Sequence, residues 1–280
     1  MRKLAVALMA ALALVTVLAV GSGLAIGMAG LGVVAVVGDV HLLPEGPPPG
    51  VKGRPWVPVI AADAEARRGL PVDAYPHDCA VAKCVALTFD DGPGPYTAEL
   101  LKTLAAEKVR ATFFVLGEKV AEHPDVLRAT VAAGHQIGNH TWDHRDLTGL
   151  DAAGVRSQLT RTADLVRKVA GVRPALMRPP YGASDRKVAK ELEGLGLPEV
   201  TWTIDPQDWR GMGRDAVAAK VLKQVQPGEI VLLHDIKRES VKAVPRIVKE
   251  LKKRGYVFAT VSELLAPVVV TPGVQYRGLL

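Results

Sequence analysis

The chain has 280 residues, 49% of them hydrophobic, and a formal net charge of +6. That length admits one domain of ordinary size plus extensions. The basic excess is too diffuse to argue for nucleic acid and suits anionic wall polymers or lipid head groups.

The apolar share is swollen by the N-terminus. From Leu4 to Val37 there is no charged residue, and Arg2 and Lys3 precede the run. A cleaved signal has an apolar core of about 7–15 residues, and a bilayer span takes about 20. This run exceeds both, so its length favours an uncleaved signal-anchor helix over residues 1–38. The glycine cluster Gly21, Gly23, Gly27, Gly30 and Gly32 keeps a cleavable signal peptide open. Positive charge ahead of the run holds the N-terminus in the cytoplasm and exports the rest. The expected location is therefore extracytoplasmic, membrane-anchored or secreted to the wall.

Residues 39–81 read as a linker and lead-in, since Pro44, Pro47, Pro48, Pro49, Pro55 and Pro58 favour an extended spacer. The two cysteines, Cys79 and Cys84, fit equally a disulfide, which an exported chain permits, and a pair of free thiols. From Cys84 onward short apolar runs alternate with segments of helical period. The expected strands are Val85–Phe89, Ala111–Leu116, His135–Gly138, Ala175–Met177, Val200–Ile204, Glu229–Leu233 and Val257–Thr260. One helix begins near Asp151 and carries Val155, Leu159, Thr162, Val166 and Val169 before Gly171. Another carries Val217, Val221 and Val225. A third carries Val241, Val244, Ile247 and Leu251 and ends at Gly255. There Lys249, Lys252, Lys253 and Arg254 suit the helix dipole. Ser184 and Ser262 are plausible N-caps. Seven strands alternating with helices predict an α/β fold with a parallel sheet. A closed barrel is preferred to an open sheet because the candidate functional residues follow many different strands.

Those candidates sit just past the strand ends. They are Asp90-Asp91-Gly92-Pro93; His140 and His144; Arg178; Asp205 and Asp208; and His234-Asp235. Singly, each has an ordinary reading. Asp-Asp-Gly-Pro forms turns, and histidines four apart share a face only if their segment is helical. Jointly, on one barrel rim, they make a hydrolytic set: two imidazoles and a carboxylate for a metal with an open position, a second carboxylate, a further histidine and an arginine.

These stretches resemble the polysaccharide deacetylase family (the NodB-homology domain, carbohydrate esterase family 4). The family's five signatures read here Thr88-Phe89-Asp90-Asp91-Gly92-Pro93, His140-Thr141-Trp142-Asp143-His144, Arg178-Pro179-Pro180-Tyr181, Asp205-Pro206-Gln207-Asp208-Trp209 and Leu232-Leu233-His234-Asp235. The resemblance implies a distorted (β/α)7 barrel over 82–265, with 266–280 as a tail. It further implies a divalent metal, usually zinc, on Asp91, His140 and His144, with Asp90 as general base positioned by Arg178. The backbone N–H of Tyr181 would face the oxyanion. His234 would serve as acid, oriented by Asp205 in preference to Asp208, and Leu232 and Trp209 would line the acetyl pocket and groove. The implied activity is removal of N-acetyl groups from an N-acetylglucosamine-containing polysaccharide such as peptidoglycan or a chitin-like glycan. The same residues would serve an O-acetyl esterase on acetylated xylan. A non-catalytic glycan-binding protein on this barrel is the third possibility, and it predicts loss of a ligand or of the base.

Overall fold

The structure is a computed structural model. It describes residues 77–279 and, within the N-terminal segment, the backbone of two strands, β1 (Leu24–Ala29) and β2 (Gly32–Val37), paired antiparallel. Of the anchor helix expected over 1–38, only residues 24–29 and 32–37 are described, and these are extended, as suits the valines of β2. The rest of that segment, and the linker to residue 76, lie outside the described residues. Among the described residues no helix is long and apolar enough to cross a membrane.

The lead-in is tied down by a disulfide between Cys79 and Cys84, whose Cα atoms are 5.4 Å apart. The chain then enters β3 (Cys84–Asp90), the centre of a parallel sheet. Next come α1 (Thr97–Ala106), β4 (Thr112–Val115), α2 (Gly117–Glu122), α3 (Pro124–Ala132) and β5 (Gln136–Asn139). The second half runs α4 (Ala152–Ala170), α5 (Arg186–Gly194), β6 (Glu199–Val200), α6 (Arg214–Gln224), β7 (Glu229–His234), α7 (Arg238–Lys253), β8 (Val257–Phe258), α8 (Val261–Leu265) and β9 (Gln275–Tyr276). Sheet order is β5-β4-β3-β7, and β8 pairs in parallel with the start of β3.

Two expected strands are reduced. Ala175–Met177 contributes single parallel bridges from Met177 to Asn139 and to Glu199. Of Val200–Ile204, Val200 alone joins a two-residue strand with Glu199, and Ile204 makes one bridge to Val231. Beyond Pro267 the chain adds β9 against β6 and a bridge from Gly278 to Glu229.

Strand alternation explains why the sheet has a working face. On β3 the side chains of Val85, Leu87 and Phe89 enter a core shared with Leu100 and Leu104 of α1, Val217 and Val221 of α6, and Val244 and Ile247 of α7. Cys84, Ala86, Thr88 and Asp90 face the other way, because successive side chains alternate. That face is apolar at its base, where Cys84 and Ala86 meet Phe114, Leu176 and Ile230. It becomes polar at Thr88 and Asp90. β7 repeats the pattern: Val231 and Leu233 join the helical core, while Ile230, Leu232 and His234 take the working face.

Caps fix where the helices start. Asp151 accepts a hydrogen bond from Gly154 N at the head of α4, and Gly171 closes it in the left-handed conformation (φ 74°). Ser184 is not the cap of α5. Asp185 accepts from Val188 N there, while Ser184 donates to Glu199. Ser262 gives way similarly to Thr260, which forms a reciprocal capping box with Glu263. In both cases the capping residue is the one left in extended backbone just before the helix.

Candidate active site

β3 and β7 run in parallel register with Asp90 opposite His234. Two residues from distant parts of the chain therefore emerge side by side at the sheet's carboxyl edge. Just beyond β3 the backbone turns sharply, with Asp91 in the left-handed region at φ 75°. Such a conformation is strained for a residue with a Cβ, and it re-aims the Asp91 carboxylate relative to that of Asp90.

His140 and His144 are not on a helix. The segment after β5 is a compact loop with Thr141 at φ 74° and His144 at φ 62°. Side-chain hydrogen bonds hold it: Asn139 Oδ1 accepts from Thr141 N at 2.9 Å, and Thr141 Oγ1 accepts from His144 N at 3.1 Å. Gln158 on α4 accepts from Trp142 N at 2.7 Å and donates to Asp143 at 2.8 Å. The loop brings the two imidazoles to an edge-to-face contact 5.0 Å between centroids.

Asp91, His140 and His144 each offer one ligand atom, and these atoms lie within 4.8 Å of one another. Asp91 Oδ1 is 3.5 Å from His140 Nε2 and 3.4 Å from His144 Nε2. It is buried without a hydrogen-bond partner among the described residues. Buried polar atoms seldom stay unpartnered, so a cation is the natural occupant. His140 Nδ1 lies 2.7 Å from the carbonyl oxygen of Arg178. Donation there fixes the tautomer and leaves Nε2 with its lone pair toward Asp91, as is usual for metal-binding histidines. Two imidazoles, a carboxylate and open space suit a divalent ion such as zinc. Burial raises the Asp91 pKa, but the imidazoles of His140, His234 and His144 outweigh it and bring the carboxyl down to about 2. His144 is lowered by burial and by His140, which keeps it neutral as a ligand must be.

Beside this triad, Asp90 is bound by Arg178, a fully buried arginine. Arg178 Nη1 donates to Asp90 Oδ1 and to Thr88 Oγ1, both at 2.7 Å. The same guanidinium donates to the carbonyls of Val200 and Thr201 and stacks 4.1 Å from the Phe114 ring centroid. Burial pushes its pKa down, and Asp90 opposes that shift. Guanidinium remains charged in proteins, and its hydrogen bond holds the Asp90 side chain in one orientation.

His234 is oriented by Asp208. Its Nδ1 lies 2.8 Å from Asp208 Oδ1, and its backbone N–H donates to Oδ2 at 2.9 Å. Ser240 donates to the same oxygen. This corrects the expectation for Asp205, whose carboxylate instead accepts from Gln207 N at 2.7 Å in a local turn. The turn puts Gln207 at φ 60° and brings the next residue, Asp208, to the imidazole. Burial lowers the His234 pKa, but Asp208, then Asp90 and Asp91, raise it to about 9.

Tyr181 (φ 62°) packs its ring edge-on against His144 at 4.7 Å and is otherwise exposed. Leu232 is buried at the working face, and Trp209 is 47% exposed beside Asp208.

Comparison with known proteins assigns the chain a family. Residues 77–200 match the polysaccharide deacetylase family model. Over 183 residues the chain is 41% identical to the peptidoglycan-N-acetylglucosamine deacetylase PgdA of Listeria monocytogenes, covering 65% of this chain and 39% of that one. It is 35% identical to a chitooligosaccharide deacetylase of Bradyrhizobium sp., covering 64% of this chain and 89% of the relative. A solved structure described as T48 deacetylase with substrate superposes with a TM-score of 0.70 at 43% identity, over 72% of this chain and all of the other. The chain belongs to the polysaccharide deacetylase family. It spans only about two fifths of the length of the Listeria protein.

Within that family frame, sequence reasoning missed the residues that hold the functional groups in place. Gln158, Ser240 and Thr97 are uncharged and lie outside the signatures, Thr88 figures only as part of one, and each acts through a partner at least 15 positions away. The one signal in the sequence was a polar residue inside an apolar strand run, as at Thr88.

Proposed function

We propose that the chain is an extracytoplasmic, metal-dependent deacetylase that removes N-acetyl groups from an N-acetylglucosamine-containing glycan of the wall type. The observation that carries this reading is the meeting of three units at one sheet edge: Asp91 with His140 and His144, Asp90 with Arg178, and His234 with Asp208. A binding protein has no use for all three. A divalent ion held by Asp91, His140 and His144, most simply zinc, supplies Lewis acidity toward the acetyl carbonyl and the attacking water.

The chain's own residues supply the rest. Asp90, oriented by Arg178, takes a proton from the attacking water. The backbone N–H of Tyr181 serves the developing oxyanion. His234, kept protonated by Asp208, delivers a proton to the departing sugar nitrogen. Leu232 forms the apolar seat for the acetyl methyl group, and Trp209 offers a ring face to the glycan. The run of single bridges through Met177, Glu199 and Ile204 supports reading the sheet as an incomplete (β/α)7 barrel. The pairing of β9 with β6 supports counting the tail with the domain. Export through the N-terminal apolar run, as signal or anchor, agrees with the Cys79–Cys84 disulfide, a bond favoured in oxidising compartments.

The test is acetate release by zinc-loaded protein from chitooligosaccharides, peptidoglycan and acetylated xylan. Acetate from the N-acetylated glycans is expected. Release from xylan alone would replace the amide substrate by an ester, and no release from any would overturn the enzymatic reading. Asp90→Asn should retain zinc while losing at least about 100-fold in kcat, as expected for removal of a general base.

A further inference from the structure

One buried acid at the site has no part in the chemistry just described. Asp235 follows His234 at the end of β7 and is fully buried. The side chain of Thr97, at the start of α1, donates to its Oδ2, while Oδ1 has no partner among the described residues. Thr97 Oγ1 also accepts from Gly94 N at 2.8 Å. Carboxyl, hydroxyl and peptide N–H therefore form a chain from β7 to the far end of the loop that follows Asp91. The middle of the same loop rests on the carboxyl group. A Cβ built on Gly92 would come within 2.2 Å of Asp235 Oδ2 and 2.4 Å of Oδ1.

A half-satisfied carboxyl buried beside two other carboxylates is costly to keep. An apolar side chain of similar size would fill the space more cheaply but could accept nothing from Thr97. We infer that Asp235 is a positioning residue, which through Thr97 and by contact with Gly92 fixes loop 91–94 and so aims Asp91 at the metal and Asp90 at the substrate. This rests on the reading of Asp91 as a metal ligand. Loop 91–94 has few other restraints: Leu116 N donates to Gly92 O at 3.1 Å, and Thr97 N to Gly94 O at 3.2 Å. Asp91 must also be held at φ 75° against its intrinsic preference.

The experiment compares wild type with Thr97→Val, Thr97→Ser and Asp235→Asn, measuring zinc affinity by chelator competition alongside kcat and KM. Thr97→Val keeps the shape and removes the hydroxyl. It should weaken zinc and lower kcat by roughly 10–100-fold, the range for loss of an outer-shell support, with KM within about twofold and the far-ultraviolet circular dichroism unchanged. Thr97→Ser and Asp235→Asn, which keep the donor and an acceptor, should stay within about threefold of wild type on both measures. If Thr97→Val cannot be isolated folded, Asp235→Ser, too short to reach Thr97, takes its place with the same expected losses. A folded Thr97→Val with wild-type zinc affinity and kcat would overturn the inference, as would Thr97→Ser failing to restore them. Zinc binding is read without substrate, so an inactive but zinc-binding wild type would sink the proposed function and leave this arm decisive. A wild type that binds no zinc would sink both.

Discussion

At the scale of single residues, His234 is subject to opposed influences. Burial disfavours its cation, while Asp208 at 2.8 Å and the nearby Asp90 and Asp91 favour it, and the pKa settles at about 9. The folded value lies above the unfolded one of 6.5, so the stabilisation is complete below pH 6.5 and is lost as pH rises through 9. Metal-free wild type should lose stability across that window in denaturant titrations. Asp208→Asn, lacking the charge, should show a flatter profile. In the proposed deacetylase, the alkaline limb of kcat against pH should move toward neutrality in Asp208→Asn, with kcat reduced even at pH 6. An unmoved limb would separate His234 from the acid role. The sequence reading preferred Asp205 to Asp208 as the partner of His234, although both flank the same turn. Left-handed backbone at Gln207 decided between them, and no local propensity announces that conformation for a glutamine.

At the scale of elements, the loops after β3 and β5 and the turns at Tyr181 and Gln207 carry the site. Five of the six left-handed non-glycine residues among the described ones, Asp91, Thr141, His144, Tyr181 and Gln207, lie in them, and Lys108 after α1 is the sixth. The surrounding hydrogen bonds and packing overcome the local cost, which is how strain persists at functional sites. Gly92 is where this packing is tightest. Gly92→Ala would drive a methyl group into Asp235 and should cost about 1–3 kcal/mol as an overpacked site. Denaturant unfolding would measure that loss, and zinc affinity should fall with it. The regular elements were far more legible than these loops. Hydrophobic periodicity located α4, α6 and α7, because each has one stripe facing the sheet. β3, β4 and β7 were equally clear as short apolar runs. Ala175–Met177 was misjudged as a full strand because its pairing amounts to single bridges, a matter of partners rather than composition. The histidine pair was open to a helical reading for a related reason. Four-residue spacing fits a helix, but Asn139, Thr141 and Gln158 divert the backbone into a hydrogen-bonded loop.

At the scale of the whole molecule, three carboxylates, Asp90, Asp91 and Asp235, gather at one end of the sheet, and burial drives Asp235 up to about 7. A bound cation relieves this accumulation of charge. Chelation should therefore lower the melting temperature, and zinc should restore it. By mass action, zinc at 100 times its dissociation constant would add about 2.7 kcal/mol. Differential scanning calorimetry with and without chelator would show the shift, and an unchanged Tm would argue against a metal at Asp91, His140 and His144.

The sequence by itself determined the class of fold, the positions of the main strands and helices, and the group of residues from which the site is drawn. Those features are written in local periodicity and in motifs a few residues long, where one side chain's chemistry predicts its role. Only the tertiary structure decided that Cys79 and Cys84 pair, that Asp208 holds His234, that Arg178 reaches both Thr88 and Asp90, and that Asp235 lies under Gly92. Except for the short cysteine loop, these pairings join parts of the chain 26 to 143 positions apart or fix a backbone turn against its own preference. They exist because parallel register and close packing bring such parts together. Distances of that kind leave no trace in the neighbouring residues.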